Sequence, residues 1–233
     1  MKLVICAGPA TTGKTAVLRH IVQRLLDCGD RAAFLKIDVQ YAEEDELLAQ
    51  EFAIPTRKVY SGELCPDHCN VMVLADAIQW AERAECQVLL VETAGLCLRC
   101  SPYVDGGLGI VVLEATSGTN LPLKVGPMLS LADVAVVTKI DRVSQAEREV
   151  FRARIQEVAP GVRIREVNAL HGIGIDPLID HIRTTPETPE RLFLRGNPPV
   201  GTCTICVGKK EVGWQSHFGV VRPLENPIFY RGE

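Results

Sequence analysis

Gly8, Gly13, Lys14 and Thr15 stand at the spacing G-x-x-x-x-G-K-[ST], directly after an apolar run and before a stretch with helical patterning. In that setting successive backbone N–H groups and a helix N-terminus converge on one point, where they can cradle the α- and β-phosphates of a nucleotide. Lys14 would neutralise β- and γ-oxygens, the Thr15 hydroxyl would hold Mg²⁺, and Ala16 would complete the phosphate contacts.

A second group selects the base. The apolar run Val134–Val137 leads into Thr138-Lys139-Ile140-Asp141, a variant of the guanine motif N-K-x-D. Asp141 would accept from guanine N1 and the exocyclic amine, and Lys139 would lie along the base. Thr138 brings a single hydroxyl where asparagine has both a donor and an acceptor. GTP is therefore expected over ATP, which disfavours a small-molecule kinase. Asn168 and Ala169, after the last apolar run, fall where a loop would close over the base. Two carboxylates end other runs: Asp38 after Phe34–Ile37, and Glu92 after Val88–Val91. Ligands bind at the carboxyl ends of strands in open α/β sheets, so both are expected near Mg²⁺ and the γ-phosphate. Glu92 is assigned to Mg²⁺, directly or through water, and Asp38 to the metal or the attacking water. Glu92-Thr-Ala-Gly95 also reads as an acidic-x-x-Gly switch, with the Gly95 N–H sensing the γ-phosphate.

Nine cysteines suit thiol-metal or redox chemistry better than a disulfide framework if the chain stays in the reducing cytoplasm. Cys65, His68 and Cys69 form one cluster. Cys97 and Cys100 begin two residues after Gly95, and Cys203 and Cys206 precede Gly208 near the C-terminus. Such ligands fit Zn²⁺, Ni²⁺ or an iron–sulfur cluster. Cys97 is placed to couple hydrolysis to metal grip, because a segment held by the γ-phosphate through Gly95 would carry adjacent ligands with it. Cys6, Cys28 and Cys86 are expected as small core residues. His20, His171 and His181 are expected on solvated surfaces, and no role is assigned to His217.

The elements that must position these groups alternate in kind. Strands are expected at Leu3–Ala7, Ala32–Ile37, Gln87–Val91, Gly109–Glu114, Val134–Thr138 and Val162–Glu166. Helices are expected at Lys14–Cys28, Asp45–Glu51, Asn70–Ala84, Ser144–Val158 and Pro177–Arg183, with Ser144 and Glu147 forming a capping box. This order implies an α/β fold, a mostly parallel sheet flanked by helices. Pro186, Pro189, Pro198 and Pro199 oppose both helix and central strand. They divide a nucleotide domain, residues 1–185, from an irregular tail, residues 186–233, that must dock on the body or be tied by metal. A hydrophobic content of 47% supports one substantial core. The net charge of −4 gives no footprint for nucleic acid or an anionic membrane. No run has the length of a membrane span or a signal-peptide core, so a cytoplasmic location is expected.

Taken together, Gly8 to Thr15, the Asp38 to Asp45 segment, Cys65-Pro-Asp-His68, Glu92-Thr-Ala-Gly95, Ser117 to Lys124 with Gly126-Pro127, and Ala132 to Asp141 resemble the nickel-inserting GTPases HypB and UreG and their CobW-type relatives. The resemblance runs from Met1 to about Arg183. It implies a P-loop NTPase fold, a GTP-dependent homodimer, metal held at the dimer interface by Cys65 and His68, and delivery to a client metalloenzyme on hydrolysis. The chain departs from the pattern in the inserted Asp67, in Thr138, in the added Cys69 and Cys100, and in the Cys203 tail. Two other readings keep the GTPase. In one the CxxC thiolates carry an iron–sulfur cluster for a redox-aware switch; in the other the tail is a structural zinc knuckle that docks a partner.

Overall fold

Strand β1 (Lys2–Ala7) is apolar from Leu3 onward, as a strand buried on both faces must be. Leu3, Ile5 and Ala7 enter one hydrophobic cluster, while Val4 and Cys6 enter another on the opposite face. The same division runs through β2 (Ala32–Asp38), β4 (Val88–Thr93), β5 (Leu108–Glu114) and β6 (Val134–Thr138), so a single sheet separates two cores. The computed structural model describes residues 1–39, 41–61, 66–95, 101–196, 210–213 and 229–230, with 66–69, 71, 72, 229 and 230 described as backbone.

With β3 (Thr56–Tyr60), β7 (Arg163–Glu166) and β8 (Phe229–Tyr230), the sheet order is β7-β6-β5-β1-β4-β2-β3-β8. Strands β1 to β7 pair in parallel, and β8 joins the β3 edge antiparallel. The expected parallel sheet is therefore present. Helices α1 (Lys14–Asp27), α2 (Glu44–Phe52), α3 (Pro66–Arg83), α4 (Leu121–Lys124), α5 (Gly126–Ser130), α6 (Gln145–Val158) and α7 (Asp176–Thr184) complete the order. β1 lies between β4 and β5, where the chain order of the strands reverses direction. Such a switch point opens a crevice at the carboxyl ends of the strands.

Strand β3 was not expected from the sequence, because Arg57 and Lys58 break its apolar pattern. Both are accommodated by partners: the Arg57 guanidinium lies 4.9 Å from the Trp80 ring centroid, and buried Lys58 pairs with Asp45 and Glu46, each at 3.0 Å. Helix α3 starts at Pro66, not Asn70. Proline at a first helical position gives up no intrahelical bond, and His68 and Cys69 therefore belong to the first turn. The short α4 and α5 were also unexpected. The Ser144 capping box is present: Glu147 N–H donates to Ser144 Oγ at 3.3 Å, and Ser144 N–H donates to Glu147 Oε2 at 2.8 Å.

The described part of the tail docks on the body. Leu192, Leu194 and Val212 enter the first core. Arg195 donates to the carbonyls of Val104 at 3.1 Å and Leu131 at 3.0 Å, and pairs with Asp133 at 2.8 Å. Cys203, Cys206 and His217 lie outside the described residues.

Candidate functional site

The loop between β1 and α1 is built for a close approach to its surroundings. A Cβ on Gly8 would lie 2.2 Å from the Val112 carbonyl oxygen, so the position admits no side chain. Gly13 caps α1 at φ +89°, in the left-handed region where glycine carries no Cβ penalty. Buried Lys14 donates to the carbonyls of Gly8 at 3.0 Å and Pro9 at 3.1 Å, keeping its ammonium inside the loop. Burial pulls the Lys14 pKa below its ordinary value, with Glu92 opposing that shift.

The Thr15 hydroxyl donates to the Glu92 carboxylate, 2.9 Å from Oε2 and 3.0 Å from Oε1. Glu92 is 1% exposed. A carboxylate and a hydroxyl at the N-terminus of α1 are hard oxygen donors, which suits Mg²⁺ in company with a nucleotide. Asp38 is partly buried on the same edge, and its Oδ1 accepts from the Val39 N–H at 2.7 Å. Thr11, Lys14, Thr15, Lys36, Asp38 and Glu92 are among the residues lining one cavity of about 530 Å³, and Ala16 lies on its wall. Gly95 has φ +66°, and a Cβ there would fall 1.7 Å from the Gly8 carbonyl oxygen. The glycine expected to act as the switch thus rests on the loop that follows β1.

Lys36 was not singled out from the sequence. It sits on β2 opposite Glu92 in the register of β4, and its Nζ lies 2.7 Å from Glu92 Oε1, 3.2 Å from Glu44 Oε1 and 3.4 Å from Asp38 Oδ2. Burial alone would lower its pKa; the charge of Glu92 and its hydrogen bond, followed by Glu44 and Asp38, reverse this and raise it. The available signal was a lone cation inside the apolar run Ala32–Asp38, placed two residues before an acidic strand end.

On the other side of the loop, Thr138 Oγ1 donates to the Thr12 carbonyl at 2.6 Å. Lys139 adopts φ +55° and sends its ammonium to the Thr11 carbonyl at 3.0 Å and to the Glu114 carboxylate. A non-glycine residue in this conformation is held by its surroundings, here by Thr11 of the loop and Glu114 at the end of β5. Asp141 is exposed on the turn Ile140–Arg142. Asn168 Oδ1 accepts from the backbone of Leu170 at 3.1 Å and His171 at 3.3 Å, which shapes the loop that follows β7. His20 is not simply solvated: its Nε2 lies 2.9 Å from the Ala169 carbonyl, tying α1 to that loop. His181 is likewise half-buried, 3.1 Å from the Arg165 guanidinium.

The cysteines differ in burial. Cys6 and Cys86 are buried as expected, and burial, with Glu92 adding to it, pushes the Cys6 thiol far above its ordinary range. Cys28 is exposed, which corrects the core reading; it caps the end of α1, beyond the face that packs on the sheet. Cys65, Cys97 and Cys100 lie outside the described residues, as do Cys203 and Cys206. His68 and Cys69 are placed as backbone in the first turn of α3. Among the described residues, no group of three or more His, Cys, Asp and Glu side chains is arranged to hold a metal ion. No helix among them is long and apolar enough to cross a membrane.

Residues 2–166 match the family model described as the CobW/HypB/UreG nucleotide-binding domain. An uncharacterized protein of Methanocaldococcus jannaschii is 42% identical over 235 residues, covering 100% of both chains and so including the cysteine-bearing tail. The urease accessory protein UreG of Haloquadratum walsbyi is 29% identical over 190 residues, covering 75% of this chain and 91% of its own. Among solved structures, HypB from Helicobacter pylori in complex with nickel superposes with a TM-score of 0.63 at 15% identity, over 81% of this chain and 91% of its own. At that identity the likeness shows the fold, a P-loop NTPase.

Proposed function

The chain belongs to the CobW/HypB/UreG family, and from that membership we propose that it is a GTP-hydrolysing metallochaperone that loads nickel, or another transition metal, into a client metalloenzyme. The observation that carries the reading is the contact of Gly95 with Gly8. The backbone that would sense the γ-phosphate rests on the phosphate loop, and Cys97 follows two residues later. A nucleotide-dependent movement at Gly95 would therefore be felt by the thiols of Cys97 and Cys100. Cys65, His68 and Cys69 would supply the ligands of a metal site shared between two protomers, and Cys203 with Cys206 a further pair. Nickel or its alternative is cargo in this reading.

GTP is the expected nucleotide because Thr138-Lys139-Ile140-Asp141 is a variant of the guanine motif, Lys139 reaches the Thr11 carbonyl of the loop at 3.0 Å, and Asn168 and Ala169 belong to a loop that would close over the base. Mg²⁺ bound with GTP would neutralise charge developing on the transferred phosphoryl group. Thr15 and Glu92 would hold it, and Asp38 would orient the metal or the attacking water. Lys14 would bind the β- and γ-oxygens, exchanging its present carbonyl partners for phosphate. Hydrolysis by the isolated chain is expected to be slow, and to rise with protein concentration as a GTP-dependent homodimer assembles. The proposed setting is the cytoplasm, with the client or its accessory proteins as partners.

The test is elemental analysis, with a visible spectrum, of protein purified without oxygen in GDP and in a non-hydrolysable GTP analogue. Nickel or zinc near half an atom per chain, changing with nucleotide, supports an interface cargo site. Iron with matching sulfide, indifferent to nucleotide, would replace the carrier reading by a cluster-bearing switch.

A further inference from the structure

The Glu92 carboxylate has two claims on it. One is the Thr15 hydroxyl, which belongs to the expected Mg²⁺ site; the other is the Lys36 ammonium at 2.7 Å. The Lys36 side chain is only 3% exposed, so water cannot solvate its charge, and three carboxylates take that role. Glu92 comes from β4. Asp38 and Glu44 come from the end of β2 and the start of α2, and both line the cavity. An ammonium has three protons to give, and the three acceptors lie on two separate parts of the fold.

A divalent ion held between Thr15 and Glu92 would share the Glu92 carboxylate with this ammonium. Like charges a few ångströms apart beside a carboxylate that is 1% exposed repel strongly, so the two cations cannot both hold Glu92 at full strength. Lys36 has somewhere else to go, because Asp38 and Glu44 lie within 3.4 Å of it already.

We propose that Lys36 is a positioning residue, a tethered cation that competes with Mg²⁺ for Glu92 and, when the ion binds, turns its hydrogen bonds to Asp38 and Glu44. The occupancy of the metal site is thereby coupled to the carboxylates at the end of β2 and the start of α2. Lys36 sets how much Mg²⁺ the nucleotide complex requires, and its ammonium rests on Asp38 and Glu44 when that requirement is met. The inference rests on the reading that this cavity binds a Mg²⁺–nucleotide complex.

The experiment titrates Mg²⁺ into full-length protein with a fluorescent GDP and reads the half-saturating Mg²⁺ concentration, with circular dichroism confirming that each variant is folded. Lys36→Met keeps the length of the stem and removes the charge; it is expected to lower the half-saturating concentration by about tenfold or more. Lys36→Arg keeps a cation and is expected to stay near the wild-type value. Glu44→Gln leaves Lys36 in place but removes one competing acceptor; its expected effect is opposite in sign, a several-fold rise, because more of the ammonium stays on Glu92. Glu44 is partly exposed, so this variant remains informative if Lys36→Met does not fold. Equal half-saturation in wild type and Lys36→Met would overturn the proposal. So would a higher Mg²⁺ requirement in Lys36→Met, which would make the lysine a support for the ion. If Lys36→Met is unfolded, an unchanged or lower requirement in Glu44→Gln overturns it. Wild-type protein that binds no guanine nucleotide at any Mg²⁺ concentration would instead refute the nucleotide site on which the proposal stands.

Discussion

Thr138 Oγ1 donates to the Thr12 carbonyl oxygen at 2.6 Å, joining the carboxyl end of β6 to the phosphate loop. Thr138 is 1% exposed, so that carbonyl gets its bond from the protein at a point closed to water. The residue that departs from the asparagine of the guanine motif thus has a structural task, independent of any contact with a base.

Thr138→Val keeps the shape of the side chain and removes the donor. Leaving the buried carbonyl without that bond is expected to cost about 1–3 kcal/mol, read as a lower urea midpoint at unchanged slope. GTP affinity should fall with it, because the loop loses its tie to β6. Thr138→Asn is expected to retain the tie and strengthen GTP binding, measured by isothermal titration. Equal stability of Thr138→Val and wild type would show that the loop holds its shape without this bond.

Gly95→Ala places a methyl group where the Gly8 carbonyl oxygen stands, 1.7 Å from the ideal Cβ, and does so at φ +66°. Backbone must move apart on one side or the other. The variant is expected to lose most of the difference in affinity between GTP and GDP while remaining folded, as read by competition binding. Under the metallochaperone reading, its metal content should also cease to follow the nucleotide.

Asp45 is fully buried and faces Lys58 at 3.0 Å, which fastens α2 to β3. Lys58→Met removes the partner and leaves a buried carboxylate, and is expected to destabilise the protein by about 3–5 kcal/mol. The double variant Lys58→Met with Asp45→Leu should recover most of that loss. Denaturant unfolding of the two single variants and the double one gives the coupling.

Asp141→Ala removes the carboxylate proposed to accept from the guanine N1 and exocyclic amine. It is expected to weaken GTP by at least about tenfold, in keeping with the cost of unpaired polar groups on a base, and to leave ATP unchanged. A preference for GTP that survives this change would place base selection elsewhere. The loop shaped by Asn168 would be the next candidate, since its Oδ1 already orders the backbone of Leu170 and His171.

The sequence by itself determined the parallel sheet, the phosphate loop and the capping box of α6. Each is a local pattern whose chemistry depends on neighbours in the chain: Gly8 to Thr15 around one turn, the apolar runs along single strands, and Ser144 with Glu147 across one helical turn. It also pointed to Glu92 and Gly95, because an acidic strand end followed by a glycine lies within four residues. Tertiary structure alone decided what these groups touch. Lys36 reads as an interruption of an apolar strand until β2 and β4 are set side by side and it meets Glu92. Strand β3 is hidden by Arg57 and Lys58 until Trp80, Asp45 and Glu46 take up their charges. Cys28 looks like Cys6 and Cys86 in composition of surroundings, yet ends up exposed because it caps α1 beyond the packed face. In each case the deciding partner is distant in sequence, and a buried charge or an exposed thiol is defined by what the fold brings against it.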